Sequence, residues 1–191
     1  MKNKEANKQL TLDILKTVAV LSIIAIIAGA LLGVVNYFTQ VDEMELLTKK
    51  ISDSGIYQGD GDLSPIEIGD GNKFVYHVFK YENTYVIHCG GDGGYKGEVQ
   101  ILMNITDGKI VNVQKYSSNE TYTSKVFAEK FLTPFYNKDL TEVQSFIIVK
   151  DKADEDKEIS AISGATKSST AVLNAINNGI SWYLSEGGTN E

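Results

Sequence analysis

Hydrophobic and polar residues alternate in three different ways along this chain, and each spacing predicts a different kind of element. From Val18 to Val35, "VAVLSIIAIIAGALLGVV", no residue is charged and Ser22 is the only polar side chain. Such a run is close to the length a helix needs to cross the hydrocarbon core of a bilayer. Leu12, Ile14 and Leu15 before it, and Tyr37 and Phe38 after it, extend the helix or sit at the interfaces, where amphipathic aromatics are favoured. In the middle of the chain the spacing shortens to that of strands. "KFVYHVFKY" (Lys73 to Tyr81) and "TYVIHC" (Thr84 to Cys89) flank Glu82-Asn83, and "EVQILMNIT" and "KIVNVQKY" flank Asp107-Gly108, so two hairpins are expected. "SFIIVK", Ser145 to Lys150, reads as a buried strand. Helical spacing appears late, over Thr123 to Leu132 with Val126, Phe127 and Phe131 on one face ahead of Pro134. It returns over about Ser168 to Leu184, where Val172, Ile176, Gly179 or Ile180, and Tyr183 form a core stripe.

Strands first and helices last, without a repeated strand-helix-strand unit, predict an α+β domain built on an antiparallel sheet behind a single transmembrane helix. The expected division is residues 1–17 as a cytoplasmic N-terminus, 18–38 as the span, 39–72 as a connector and 73–191 as the folded domain. The charged run from Asp151 to Glu158 is a solvated loop. A cleaved signal peptide is the alternative to an anchor, but its apolar region is shorter, and Asn36-Tyr37-Phe38-Thr39-Gln40 offers no small-residue cleavage pattern.

Charge orients the span. Lys2, Lys4, Lys8 and Lys16 against Glu5 and Asp13 leave +2 before it, and the overall charge of −7 then puts −9 after it. Lysine on the short side places that side in the cytoplasm and the larger part of the chain outside. Gly29 and Gly33 form a small-residue pair through which another membrane helix can approach. The acidic balance excludes a nucleic-acid surface, which needs a basic face. All 18 basic residues are lysine, so a bound phosphate must rely on backbone N–H groups, hydroxyls and point charges. Cys89 is the single cysteine, which excludes an intrachain disulfide and a cysteine-rich metal site; it reads as a small buried hydrophobe. His77 and His88 fall in strands, and no spacing turns them into a metal set.

Two segments carry candidate chemistry. "GGDGGYKG", Gly90 to Gly97, has five glycines in eight residues and is either a flexible turn or a place where main chain approaches a ligand. "ISGATKSST", Ile162 to Thr170, opens the last helix. There Ser163 or Thr166 either caps the helix or, with the free N–H groups of the first turn, binds an anion. Neither segment is a known nucleotide loop: the second glycine of a P-loop is missing before Lys167-Ser168, and the glycine-rich turn lies between antiparallel strands rather than in a Rossmann unit. No Gly-x-Ser-x-Gly elbow occurs.

Ser163, Gly164, Ala165 and Thr166, followed by Ser168, Ser169 and a helix, resemble the flavinylation motif of the FMN-binding domain family. "GGYKGEVQILMNITDGKIVNVQ" is similar to that family's glycine-aromatic-glycine, strand, Asp-Gly, strand segment, and Glu120-Thr121 to its Glu-Thr before a short helix. With one span and an outer domain, the chain is most similar to the flavin subunits of Rnf-type electron-transport complexes, and next to those of sodium-pumping NADH:quinone reductases. The resemblance implies an electron carrier in a membrane complex that couples transfer between reduced ferredoxin and NAD to ion pumping. It implies FMN joined through its phosphate to Thr166 by a flavin transferase, with other membrane subunits as partners. Gly94, Tyr95, Glu120, Thr121, Ser163, Gly164, Ala165, Lys167, Ser168 and Ser169 are then the residues around the cofactor, the phosphate meeting the N–H groups of Lys167, Ser168 and Ser169. Tyr95, Tyr116 and Tyr122 are candidates to pack beside the ring. The alternative is a membrane-anchored binding or assembly module without redox chemistry. Three departures stand out: Ser160 where the family has Asp, Tyr122-Thr123 where it has Pro-Gly, and the segment from Gln40 to Gly71, which matches nothing.

Overall fold

The uncharged run lies within one helix, α1 (Lys2–Thr39), in a computed structural model that describes residues 2–39, 43–69 and 71–187, with side chains from residue 12 onward. Gln40, where the outer part was expected to begin, lies outside the described residues, as do the side chains of Lys2, Lys4 and Lys8. Among the described residues α1 is the one helix long and apolar enough to cross a membrane, and its side chains from Leu12 to Phe38 are exposed. A helix apolar on all sides has no solvated face to turn outward, which suits a lipid surrounding.

The chain divides into two units, residues 1–48 and 49–191. Helix α2 (Glu43–Ser54) begins in the first, with Glu43 and Glu45 in the first turn where the helix dipole favours acids, and ends in the second. The stretch 39–72, expected as a connector, therefore holds a helix, and it also holds strand β1 (Ser64–Ile66). Strands β2 (Val75–Tyr81), β3 (Thr84–Gly91), β4 (Val99–Thr106) and β5 (Lys109–Ser118) follow, and all five form an antiparallel sheet in chain order. Both hairpins close as expected, Tyr81 opposite Thr84 and Thr106 opposite Lys109. At the second turn Asp107 (φ 49°) and Gly108 (φ 72°) both take left-handed dihedrals, the conformation that matches the twist of the flanking strands.

The expected helix over Thr123 to Leu132 is two short helices, α3 (Thr123–Val126) and α4 (Glu129–Leu132), separated by Ala128 in an extended conformation and followed by a 3-10 turn, Thr133–Phe135. A continuous helix would turn Phe131 about 140° away from Val126. The break lets Val126, Phe131, Leu132 and Phe135 all enter one core. Ser145 to Lys150 also differs from expectation. Only Ile147–Val149 is strand (β6), paired in parallel with β7 (Glu158–Ser160) outside the main sheet, and Ile147 is exposed. The buried residue is Phe146, whose N–H and C=O are both bound by the side-chain amide of Asn177 at 2.8 Å.

Helix α5 (Thr166–Trp182) lies across one face of the sheet and ends in a π turn, Tyr183–Gly187. Its stripe Val172, Ile176, Gly179 and Ile180 is buried against Ile87, Cys89, Ile101 and Met103. Glycines set this spacing: a Cβ on Gly91 would overlap Ala171 O and Ala175 N of α5, and one on Gly179 would meet Met103 and Cys89. Cys89 donates to Ala175 O at 3.3 Å, and complete burial holds its thiol far above the usual range, so it is the structural thiol expected.

The opposite face of the sheet is mixed: Phe79, Val86 and Leu102 are buried on it, and it also carries a set of polar side chains. Asn104 donates to Ile56 O (2.8 Å) and Gln114 to Ser54 O (2.9 Å), seating the buried Ile51 and Ile56. Further along, His77 Nδ1 and His88 Nδ1 lie 3.2 Å apart, Tyr116 packs on the His88 ring, and Lys50 Nζ sits over Tyr116 at 3.7 Å. Burial pushes the His88 imidazole down to about 4, reinforced by His77 and Lys50, although its hydrogen bond with Gln100 opposes the shift. Tyr116, one of the three tyrosines expected beside a ring cofactor, belongs to this cluster.

Candidate functional site

At the start of α5 the chain turns through Gly164, whose φ of 75° is open to glycine, and enters the helix at Ala165. Ala165 is the N-cap, and no side chain caps the helix there. Neither Ser163 nor Thr166 thus serves as the cap that sequence reasoning allowed. The helix also begins one residue before the expected set of N–H groups: Ser169 N–H already donates to Ala165 O (2.8 Å). The free donors are those of Thr166, Lys167 and Ser168, which meet no acceptor among the described residues. Three unpaired N–H groups at the positive end of a 17-residue helix make a site suited to an anion.

These residues form one wall of a cleft of about 530 Å³. Gly164, Ala165, Thr166, Lys167 and Ser168 line it from the helix, Glu120, Thr121 and Tyr122 from the segment after β5, and Tyr95 from the glycine-rich loop. Tyr95 is 74% exposed and Tyr122 41%, with Lys167 Nζ 6.0 Å from the Tyr95 ring centre. The cleft therefore offers an anion site at one end and two exposed tyrosines beside it, Tyr122 with Lys125 Nζ 4.6 Å from its ring centre, a combination suited to a phosphate-bearing ring compound.

Four hydroxyls lie between Ser163 and Ser169, and the structure treats each differently. Thr166 is exposed at the mouth of the cleft. Ser168 is buried and donates to Glu120 Oε2. Ser169 is fully buried beneath the helix start, where its Oγ accepts from Ile162 N–H at 3.2 Å. Ser163 is exposed but lines a neighbouring cavity of about 630 Å³ together with Lys125, Lys130, Phe131 and Ile159. Gly94 does not line the cleft either; it packs beneath it, against the Gly97 carbonyl and Glu120. Of the residues singled out from the sequence, the cleft thus brings together Tyr95, Glu120, Thr121, Gly164, Ala165, Thr166, Lys167 and Ser168, with Gly94 and Ser169 as supports.

Sequence reasoning missed the ties that hold the glycine-rich loop to α5. Asn174 donates to Asp92 O (3.0 Å) and Asn178 to Gly90 O (2.8 Å), two amides one helical turn apart. Polar Asn at i and i+4 within an otherwise apolar stripe was the available signal. Lys96 N–H, which donates to Glu120 Oε1 at 2.6 Å, left no trace in the sequence because any residue but proline supplies that donor.

The FMN-binding domain family matches residues 94–181, from the glycine-rich loop to the last turn of α5. The chain is also 27% identical over 189 residues to one of the subunits of the Na+-translocating ferredoxin:NAD+ oxidoreductase complex of Acetobacterium woodii, covering 86% of this chain and 88% of that one. The residues present fit the cofactor this implies: an exposed threonine hydroxyl, unpaired helix-start N–H groups and a lysine for the phosphate, and exposed tyrosines for the ring. Residues 94–181 match the FMN-binding domain family, and FMN is the cofactor that this match and the relative indicate.

Proposed function

We infer that this chain is the electron-carrier subunit of a membrane-bound, ion-translocating ferredoxin:NAD oxidoreductase complex, and that its FMN is esterified through the phosphate to Thr166 Oγ1. The observation that carries the attachment is the unequal state of the motif's hydroxyls. Ser168 and Ser169 are buried and engaged and Ser163 faces another cavity, whereas Thr166 is exposed beside the unpaired N–H groups. Attachment transfers the FMN phosphoryl group from an activated flavin dinucleotide to Thr166 Oγ1: the donor's phosphoanhydride P–O bond breaks, the nucleotide monophosphate leaves, the hydroxyl proton is released, and a diester with one negative charge remains. The N–H groups of Thr166, Lys167 and Ser168 stabilise that charge by about 0.3 to 2 kcal/mol, and Lys167 adds a cation. FMN supplies the electron chemistry. The protein's part is to keep the cofactor at high local concentration and to pack Tyr95 and Tyr122 beside it.

Helix α1 anchors the domain, with residues 1–17 in the cytoplasm and the FMN-binding domain outside. Other membrane subunits are its partners in electron transfer, and Gly29 and Gly33, open on the surface of α1, are where one of their helices packs. The relative from Acetobacterium favours the ferredoxin:NAD complex over the sodium-pumping NADH:quinone reductase. A flavin transferase performs the maturation.

Coexpressed with a flavin transferase, the denatured chain is expected to run as a flavin-fluorescent band, with the mass of FMN less one water on the peptide containing Thr166. Thr166→Val keeps the shape and β-branching and removes the ester oxygen, so it abolishes the band while changing stability by less than about 0.5 kcal/mol. Modification at Ser163 or Ser168 instead overturns the assignment. A wild-type chain without flavin favours the non-redox assembly module.

A further inference from the structure

Glu120 is the one buried carboxylate among the described residues, 6% exposed, and it lies between the two sides of the cleft. Its Oε1 accepts from the N–H of Lys96 at 2.6 Å, and its Oε2 accepts from the Ser168 hydroxyl. The first bond holds the peptide unit that joins Tyr95 to Lys96, the aromatic side of the cleft. The second holds the first turn of α5 two residues beyond Thr166. Glu120 is itself fixed at both ends of its own residue: its N–H donates to Ser118 Oγ (3.2 Å) and its carbonyl accepts from Thr123 Oγ1 (2.6 Å). The loop is folded closely around the carboxylate, since a Cβ on Gly94 would strike the Gly97 carbonyl and Glu120 Oε1 together. A buried carboxylate is tolerated only when its lone pairs are met, and here the donors that meet them come from two separate elements.

We propose that Glu120 is the positioning residue of the flavin site: it clamps the glycine-rich loop to the mouth of α5 and so holds Tyr95 across from Thr166. This rests on attachment of FMN at Thr166. The clamp gives the exposed Tyr95 a fixed peptide from which to cover a ring tethered at Thr166. Without it the hydrogen bonds that remain between loop and helix among the described residues lie near the loop's start, through Asn174 and Asn178 at Asp92 and Gly90.

The test separates the clamp from the flavin. In the flavin-free Thr166→Val chain, tryptic cleavage after the exposed Lys96, followed by peptide mass mapping, reads loop release directly. Glu120→Ala is expected to raise that rate at least tenfold. Glu120→Gln keeps an acceptor for Lys96 N–H and an amide that can donate to Ser168 Oγ, so it stays within threefold of the parent. In the flavinylated protein, Glu120→Ala raises flavin fluorescence at unchanged FMN occupancy, because Tyr95 no longer packs on the ring, and Glu120→Gln restores the quenching. Tyr95→Leu gives the same rise in fluorescence while leaving Lys96 protected. If Glu120→Ala does not fold, Ser168→Ala cuts one tether alone, and an increase in cleavage smaller than tenfold but above threefold is expected. Equal cleavage with and without the clamp, or quenching that survives Glu120→Ala at full occupancy, overturns the proposal. Absence of flavin from the wild type overturns the attachment reading, and the cleavage comparison on flavin-free protein still decides the clamp.

Discussion

The two faces of the sheet differ in what accompanies their buried apolar residues. The face under α5 is apolar and buried, and its spacing is set where Gly91 meets the backbone of Ala171 and Ala175 and where Gly179 meets Met103 and Cys89. The other face carries, beside the buried Phe79, Val86 and Leu102, the side chains of Tyr76, His77, His88, Gln100, Asn104, Gln114 and Tyr116, held by hydrogen bonds and ring contacts. The difference separates placement from titration. The helix whose mouth forms the cleft is located by contacts that carry no charge, whereas His88, whose burial holds its imidazole down to about 4, lies on the far side. A close-packed contact permits one geometry, and a polar cluster tolerates changes in protonation at a cost in stability.

Three measurements bear on this contrast. The largest effect is expected from Gly91→Ala. The added Cβ meets backbone that cannot move aside without lifting α5, so a loss of about 3 kcal/mol or more, read by thermal or urea unfolding, is expected. A loss below about 1 kcal/mol would show that the helix is not seated by that contact.

The second concerns acid. His88 is held neutral, its folded pKa depressed to about 4 against about 6.5 in the unfolded chain, so the unfolded state takes up the proton first as pH falls. Stability is then full above pH about 6.5, falls between there and pH about 4, and levels below. The whole contribution is at most about 3 kcal/mol. Its surroundings share the load: His77 and Lys50 oppose a charge on His88, while Gln100 and Glu98 favour one. His88→Phe should flatten that limb of the pH profile, and an unchanged slope would assign the titration to other groups.

The smallest effect is kinetic. Cys89 is fully buried and its thiol is held far above the ordinary range, so it exposes almost no thiolate. Maleimide should leave the folded domain unlabelled at neutral pH and react only at the rate of unfolding. Rapid labelling would mean that the helix face opens without global unfolding.

Local elements were largely legible in the sequence because their determinants are local. The Asp107-Gly108 hairpin, the apolar stripe of α5 and the uncharged run of α1 each depend on residues within one or two turns of one another. Elements failed to follow the local pattern where packing intervened. Thr123 to Leu132 breaks at Ala128 so that four apolar side chains can reach one core, and Ser145 to Lys150 contributes Phe146 to that core and only a short strand outside the main sheet. The segment before Lys73 carried no sequence signal for strand, yet Ser64 to Ile66 pairs with β2, because an edge strand needs only a neighbour with unpaired backbone groups.

The motif from Ser163 to Ser169 shows the same division at the site. Its composition alone named the hydroxyls and the helix mouth, since N-cap chemistry and helix periodicity are written in neighbouring residues. Which hydroxyl is exposed, which N–H groups stay unpaired, and that Glu120 joins the glycine-rich loop to the helix were decided by tertiary structure. Those facts rest on partners 24 and 48 positions apart, Lys96 with Glu120 and Glu120 with Ser168, and only the packing of α5 across the sheet brings them within hydrogen-bond distance.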